Sequence, residues 1–474
     1  MKIELNIQSE EFLYESQILI NAFLAECNGN KENTEWNEKT LSICIEKENI
    51  KVCCGNIYFT GISEKPKKKY VKAELKRLIY QTLKQLTAKE LPWGALTGIR
   101  PVKLATGLIE SNPEISNQAV CGYLKENYLV SDKKAALSAS IARKEYELLK
   151  SIDYRNGYSL YIGIPFCPTT CLYCSFTSYP IKAYQKKTEP YLEALIKEVE
   201  YAAKEFHQKK LNSIYFGGGT PTTLEADQLD RLLSAVRERF DLTYCQEFTV
   251  EAGRPDSITE EKLKILKKHG VTRISINPQT MNQKTLDLIG RYHTVEQVRE
   301  AFLLAREIGF DNINMDFIVG LPEENIEDIE YSMQEAEKLN PDSLTIHSLA
   351  IKRAARLNIQ KEQYKELTIK NNLEIMELCE QYARKMGMEP YYLYRQKNIA
   401  GNMENVGYAR KAGIYNILIM EEKQTIVALG AGSISKRVYP DGRIERCENV
   451  KDVALYIEKI DEMIERKRRL FMDL

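Results

Sequence analysis

The chain has 474 residues, 43% of them apolar, with 67 Lys and Arg balanced by 67 Asp and Glu. That length exceeds one ordinary domain and predicts two or three. The balanced charge excludes a global field drawing the protein to nucleic acid or membrane, and no uninterrupted apolar run approaches the ~20 residues of a membrane span.

The first part runs over 1–150 and is expected to be an α+β domain. KIELNI and SICIEKENIKVCC alternate like strands. The opening MKIELNIQSEEF has no signal-peptide core, so the 11 cysteines are expected in a reducing cytoplasm, where clustered thiols bind metal more often than they cross-link. Between Lys65 and Lys103, eleven Lys or Arg stand against two Glu. Val71, Leu75, Leu78, Ile79 and Leu86 follow a helical period there. The stretch is read as a solvated basic helix face, with RNA or an anionic substrate as the alternative. WGALTGIRP reads as a fixed loop, and the segments NQAVCGYLKENY and ALSASIARKEYELLKSID as helices.

The second part, 151–350, alternates strand and helix. YSLYIGIP, SIYFGG, EFTVEA, RISINP, NINMDFIVG and SLTIH are strand-like, with a helical pattern between each pair. Buried apolar strands joined by helices predict a parallel sheet, and about six units are too few for a closed eight-fold barrel. The expectation is a partial (β/α)6 barrel whose working residues sit at the C-terminal ends of its strands. The third part, 351–474, is helical at first, then carries the strand-like runs YNILIM and TIVALGAG and ends in an amphipathic helix. No internal repeat is present.

Cys167, Cys171 and Cys174 stand at C-x3-C-x2-C in IPFCPTTCLYCSF, just after the first barrel strand. A disulfide would leave one sulfur over, and a four-cysteine zinc site is one ligand short. Three thiolates can hold three irons of a 4Fe–4S cube and leave the fourth open to a small molecule. The alternatives are a zinc knuckle recruiting a distant ligand, or unrelated buried thiols.

The triplet, its place after the first strand, and the motifs GGGTPTTL, RISINPQTM and NMDFIVGLP resemble the radical S-adenosylmethionine (SAM) superfamily. More narrowly they resemble the oxygen-independent coproporphyrinogen III oxidases and their relatives, which include a haem chaperone. The likeness is greatest to the branch with an extra N-terminal region. It runs from Tyr161 to about Ala350, with a weaker match in GAGSIS. The resemblance implies two cofactors, a 4Fe–4S cluster on the three cysteines and SAM.

The family's SAM contacts map onto Tyr161 beside the cluster, Gly218, Gly219 and Thr220 in GGGTP, and Glu251 in TVEAG. They continue with Gln279 after the fourth strand, Arg291 in IGRYH, Asp316 in the fifth strand and Ala350 after the sixth. Exposed backbone at the glycines suits the methionine ammonium, Arg291 its carboxylate, and Asp316 and Gln279 the ribose. His293 and His347 are read either as buried structural histidines or as site residues.

The implied reaction is oxidative decarboxylation of coproporphyrinogen III to protoporphyrinogen IX in haem biosynthesis. One electron would cleave SAM, and the resulting 5′-deoxyadenosyl radical would take a hydrogen from a propionate β-carbon. The implied partners are a porphyrinogen substrate and an electron donor such as flavodoxin or ferredoxin, with no membrane and no nucleic acid. Two departures bear on the substrate. Oxidase members often carry His where Gly163 stands and a further Cys where Phe176 stands, and CSF resembles the chaperone branch. A haem carrier, and a radical SAM enzyme of methyl transfer or RNA modification, therefore stand beside the oxidase reading.

Overall fold

The computed structural model describes residues 2–7, 9–28, 39–65, 67–98, 100–360, 362–364, 367–396 and 399–472. They fall into two compact units. One holds 1–146 with 394–397 and 401–403, the other 147–393 with 398–400 and 404–474.

The first unit pairs strands β1 (Ile3–Ile7), β2 (Lys39–Glu46), β3 (Asn49–Cys54) and β4 (Ile57–Ile62) in that order. β1 and β2 run parallel, and β2, β3 and β4 antiparallel. Leu41, Ile43, Ile50 and Val52 alternate onto one face and pack against α1 (Leu13–Asn28) and α2 (Lys68–Thr87). The basic stretch becomes α2, which buries Val71, Leu75, Leu78 and Ile79 as its period predicts, with Leu86 packed at the margin. Its cations are largely paired: Lys68 with Glu11 at 2.6 Å, Lys72 with Glu15, Arg77 with Glu74 at 2.6 Å, and Lys84 with Glu90 at 2.5 Å. The WGALTGIRP loop follows, with Trp93 fully buried. Three helices complete this part of the chain: α3 (Val102–Ser111), α4 (Asn117–Tyr128) and α5 (Asp132–Lys150).

The second unit is built on an 11-stranded sheet. Its parallel βα series is β5 (Gly157–Ile164), α6 (Ile181–Glu205), β8 (Lys210–Gly218), α7 (Ala226–Arg239), β9 (Glu247–Gly253), α8 (Glu260–Lys268), β10 (Arg273–Ile276), α9 (Gln283–Leu288), α10 (Val295–Glu307), β11 (Ile313–Val319), α11 (Ile326–Leu339) and β12 (Ser343–Ser348). β5, β8, β9, β10, β11 and β12 are neighbours in that order and all parallel. This is the partial (β/α)6 barrel. Each strand is nearly buried throughout, as a sheet covered by helices requires. Between β5 and α6, the short pair β6 (Phe166–Cys167) and β7 (Tyr179–Pro180) fastens the two ends of the cysteine loop.

Residues beyond 351 contribute α12 (Arg356–Ile359), α13 (Leu373–Lys385), β13 (Glu389–Tyr394), β14 (Asn405–Ala409), α14 (Ile414–Met420), β15 (Thr425–Leu429), β16 (Ile434–Val438), β17 (Ile444–Glu448), α15 (Val453–Glu458) and α16 (Ile460–Phe471). β15, the TIVAL run, lies parallel beside β5, while β14 pairs antiparallel with β12 at the other side. The run YNILIM is helix α14, not a strand. A short apolar run fits a buried strand or a buried helix equally by period. The Glu247 carboxylate accepts the Ile414 N–H at the start of α14, the place where negative charge favours a helix.

Among the described residues no helix is long and apolar enough to cross a membrane.

Candidate active site

The cysteine loop leaves the C-terminal end of β5 and is held by its neighbours' backbone. Gly219 N–H donates to Ile164 O at 2.7 Å and Thr220 N–H to Phe166 O at 2.7 Å. Leu172 N–H donates to Ile289 O at 2.9 Å. Gly218 has φ +103°, open to glycine, and a Cβ on Gly219 would lie 2.5 Å from Phe166 O and 3.0 Å from Cys167 Sγ. The glycine run of GGGTP is thus the floor on which the cysteine loop rests.

All three thiols are free of disulfides. Thr220 Oγ1 lies 3.5 Å from Cys167 Sγ, Arg291 Nη1 lies 3.8 Å from Cys171 Sγ, and Ser178 Oγ lies 3.7 Å from Cys174 Sγ. Burial pushes the Cys167 thiol up to about 11 and raises that of Cys174. Thiols this reluctant to ionise are inert alone and become thiolates by binding metal. Among the described residues no three His, Cys, Asp or Glu converge on a single ion. Thiolates that bind separate corners of a cube have no need to converge.

Beside the loop, the barrel mouth holds a buried polar network. Asn277 is its hub. Its Nδ2 donates to Glu251 at 3.0 Å, its Oδ1 accepts the Asp316 N–H at 3.3 Å, and its carbonyl accepts from Arg291 Nη2. Tyr215 OH donates to the other oxygen of Glu251. Asn314 Nδ2 donates to Asp316 at 2.7 Å, and His347 Nε2 lies 3.6 Å from it. Burial raises the Glu251 carboxyl, and the Asp316 charge adds to that. Burial also pushes Asp316 upward, but its hydrogen bonds from His347, Asn314 and Thr345 outweigh that and hold it low. One carboxylate of the pair therefore keeps its charge at the other's expense.

Tyr161 stacks parallel to Tyr215 at 6.2 Å and to Tyr415 at 6.4 Å, with burial raising its phenol. Gln279 follows β10 with φ +70°, a rare conformation for a residue with a Cβ. Its backbone is pinned to β11, N–H to Asp316 O at 3.0 Å and O from Ile318 N–H at 2.9 Å. Its Oε1 is buried without a hydrogen-bond partner, as is Arg291 Nε. Ala350, half-buried, bridges to Ile399 and has no bond to the rest of the set. His293 is fully buried with neither ring nitrogen partnered, and burial with the Arg291 and Arg254 charges takes it down to about 3. A Cβ on Gly163 would lie 3.2 Å from Leu429 O, so a His there would press on β15.

Of the expected set, Tyr161 lies within β5, Glu251 within β9 and Asp316 within β11, Gly218 ends β8 with Gly219 and Thr220 just after it, Gln279 follows β10, and Arg291 follows α9 beside the cysteine loop. Asn277, Tyr215, Asn314 and Tyr415 were not singled out from the sequence. Asn277 was within reach, since β10 alternation sets it on the same face as Ser275, two residues before Gln279.

A partial parallel barrel with three cysteines on the loop after its first strand defines a radical SAM protein, and the radical SAM superfamily profile matches residues 161–336. The chain is 39% identical to the oxygen-independent coproporphyrinogen-III oxidase-like protein HemZ of Bacillus subtilis (strain 168), across 95% of this chain and 94% of that protein, and it belongs to that family. The haem chaperone HemW of the same organism is 40% identical over 41% of this chain and 50% of its own length. The structure of coproporphyrinogen III oxidase HemN from Escherichia coli, a radical SAM enzyme, has the same fold, with a TM-score of 0.53 and 23% identity over 67% of this chain and 73% of that one.

Radical SAM proteins use a 4Fe–4S cluster and SAM, and these are the cofactors here. The residues present fit them. Three free cysteines share one loop, the glycine floor beneath them leaves no room for a side chain, and buried polar atoms of Gln279 and Arg291 await a polar ligand beside them.

Proposed function

We propose that the protein is a radical SAM oxidoreductase that converts two of the four propionates of coproporphyrinogen III to vinyl groups without oxygen, each losing a hydrogen atom to the radical, CO2, and one electron to an external one-electron acceptor, giving protoporphyrinogen IX. Cys167, Cys171 and Cys174 ligate the cluster. The bound pair of cofactors supplies the carbon radical that removes hydrogen from the substrate. The chain's own residues hold that pair in place. Gly218 and Gly219 offer backbone to the methionine ammonium, Arg291 its fork to the carboxylate, and Glu251, Gln279 and Asp316 their oxygens to the ammonium and ribose. Tyr161 lines the cluster side. Ala350 packs on the adenine. Thr220 and Arg291 are buried and the rest of the set, Gly218 apart, is partly so, which limits the water that can reach the radical.

The observation that carries this reading is the pair of buried, unpartnered groups, Arg291 Nε on the arginine beside Cys171 and Gln279 Oε1 on the residue whose backbone is bonded to Asp316. Their desolvation is costly unless a polar ligand completes them, and a carrier that does not use SAM would have no reason to keep them. The match along nearly the whole chain to an oxidase-like protein supports it as well. The test is anaerobic turnover of coproporphyrinogen III by the reconstituted protein with SAM and dithionite. Vinyl products and 5′-deoxyadenosine are expected.

A second reading, a haem carrier, is favoured by one feature. Phe176 stands where oxidases often place a further cysteine, and the core matches a named haem chaperone at 40% identity. Haem that stays bound through gel filtration, with no decarboxylated product, would establish it.

A further inference from the structure

A 4Fe–4S cluster on Cys167, Cys171 and Cys174 would receive its electron from outside, and the cysteine loop that would hold it is covered on one side by chain from beyond the sixth barrel strand. Leu172, inside that loop, accepts the Leu357 N–H at 3.0 Å. Leu172, Ile289, Leu349 and Leu357 form one apolar cluster. Residues 351–360 therefore lie against the loop, with Ala355 and Leu357 turned inward and Lys352, Arg353, Arg356 and Ile359 turned to solvent. Lys352 Nζ sits 5.4 Å from the ring centroid of Phe176, which is two residues past Cys174.

Two features of this surface stand together. Phe176, Tyr292 and Ile359 are 69%, 70% and 68% exposed, and each belongs to a segment that touches the cysteine loop. Single exposed apolar groups are ordinary, but three around one loop mark an interaction surface. The charge is also one-sided. Residues 168–188 and 350–360 together hold six Lys or Arg and no Asp or Glu, in a chain whose charges balance.

From these observations, and resting on the radical SAM reading of the site, we infer that this face docks a small acidic one-electron donor protein that reduces the cluster. Cations steer a negatively charged partner and set its orientation, while the exposed rings and Ile359 supply the apolar centre of the contact. The step is a single electron transfer. The donor is oxidised by one electron, the cluster is reduced by one, and no bond or proton changes place.

The experiment follows bleaching of the cluster absorbance in the reconstituted full-length protein, with reduced flavodoxin or dithionite as reductant. The variant is K352E/R353E/R356E, and K411E, on an exposed residue away from this face, is the control. Reversing three cations should slow reduction by flavodoxin about ten-fold or more at low ionic strength and remove most of its salt dependence. Reduction by dithionite should be unchanged, and K411E should match the parent with both. Binding of oxidised flavodoxin, measured by interferometry, should weaken in the triple variant alone. Equal slowing with both reductants would overturn the inference, since the face would then serve the substrate or the fold. Unchanged flavodoxin kinetics would overturn it too. A parent that flavodoxin bleaches through this face, yet makes no 5′-deoxyadenosine, would leave the docking face standing and remove the radical reading alone.

Discussion

Gly219→Ala is the most exacting single change the structure offers. The added Cβ would sit 2.5 Å from Phe166 O, 2.9 Å from Ile164 O and 3.0 Å from Cys167 Sγ. Two of those atoms are backbone, and Ile164 O already accepts the Gly219 N–H at 2.7 Å. No flexible side chain can swing aside, so the end of β8 must part from the cysteine loop. Overpacking of this kind costs about 1–3 kcal/mol. Each backbone hydrogen bond stretched adds about 1 kcal/mol. The expected loss is therefore roughly 2–4 kcal/mol in the second unit. Neither tryptophan of the sequence falls in the chain segments of the second unit, so circular dichroism in urea, not tryptophan fluorescence, must follow it. Displacement of Cys167 should also lower the iron held after reconstitution. Gly107→Ala, in α3 with nothing within 4 Å of the new Cβ, is the matched control and should be neutral or slightly stabilising. A Gly219→Ala protein with the parent's midpoint and a full cluster would refute the account of the glycine floor.

Other expectations follow from the same geometry. Changing Cys167, Cys171 or Cys174 to Ala should abolish the ~4 irons and 4 sulfides per chain, read by metal and sulfide assay, while Cys53→Ala and Cys54→Ala retain them. Arg291→Ala should weaken SAM binding by roughly 1.5–3 kcal/mol in calorimetric titration, the scale of a charge-assisted bond. It should also lower the cluster potential, because a cation 3.8 Å from Cys171 Sγ is lost. Lys76, in the first unit, is brought down from 10.5 to about 8 by burial and by Lys72, and it donates to Thr97 Oγ1 at 2.5 Å. Between those two values the unfolded chain holds a proton that the folded unit has released. Stability should therefore rise with pH across that window, with a burden of about 3 kcal/mol fully present at pH 7. Lys76→Met should raise stability at pH 7 and flatten the rise, read by Trp93 fluorescence in urea.

Much of the barrel was legible because period and spacing are local properties. The six strand-like runs are β5, β8, β9, β10, β11 and β12, and a cysteine triplet after the first of them needs no long-range knowledge to be read. What escaped was set by distant pairing. Nothing in TIVALGAG says that it lies beside β5, because that contact is chosen by the finished sheet. YNILIM became a helix because its apolar faces are buried from several sides, where composition no longer distinguishes the two periods. Asn277 looked like a residue of a strand end, and only the fold makes it the hub joining Glu251, Asp316 and Arg291. The proposed SAM contacts rest on a local argument, that carboxylates, amides and an arginine in or beside barrel strands are rarely placed there for packing alone. Ala350 remained without polar company, consistent with a residue whose proposed part is apolar contact.

The central claim is that hydrogen leaves a substrate propionate for a radical made at this site. The most direct measurement supplies coproporphyrinogen III deuterated at the propionate β-carbons to the reduced, reconstituted protein with SAM, and weighs the 5′-deoxyadenosine by mass spectrometry. Deuterium in that product, together with vinyl groups on the porphyrinogen, is the result expected. Unlabelled 5′-deoxyadenosine with the porphyrinogen intact would contradict the claim, and the radical would then be spent on a different substrate.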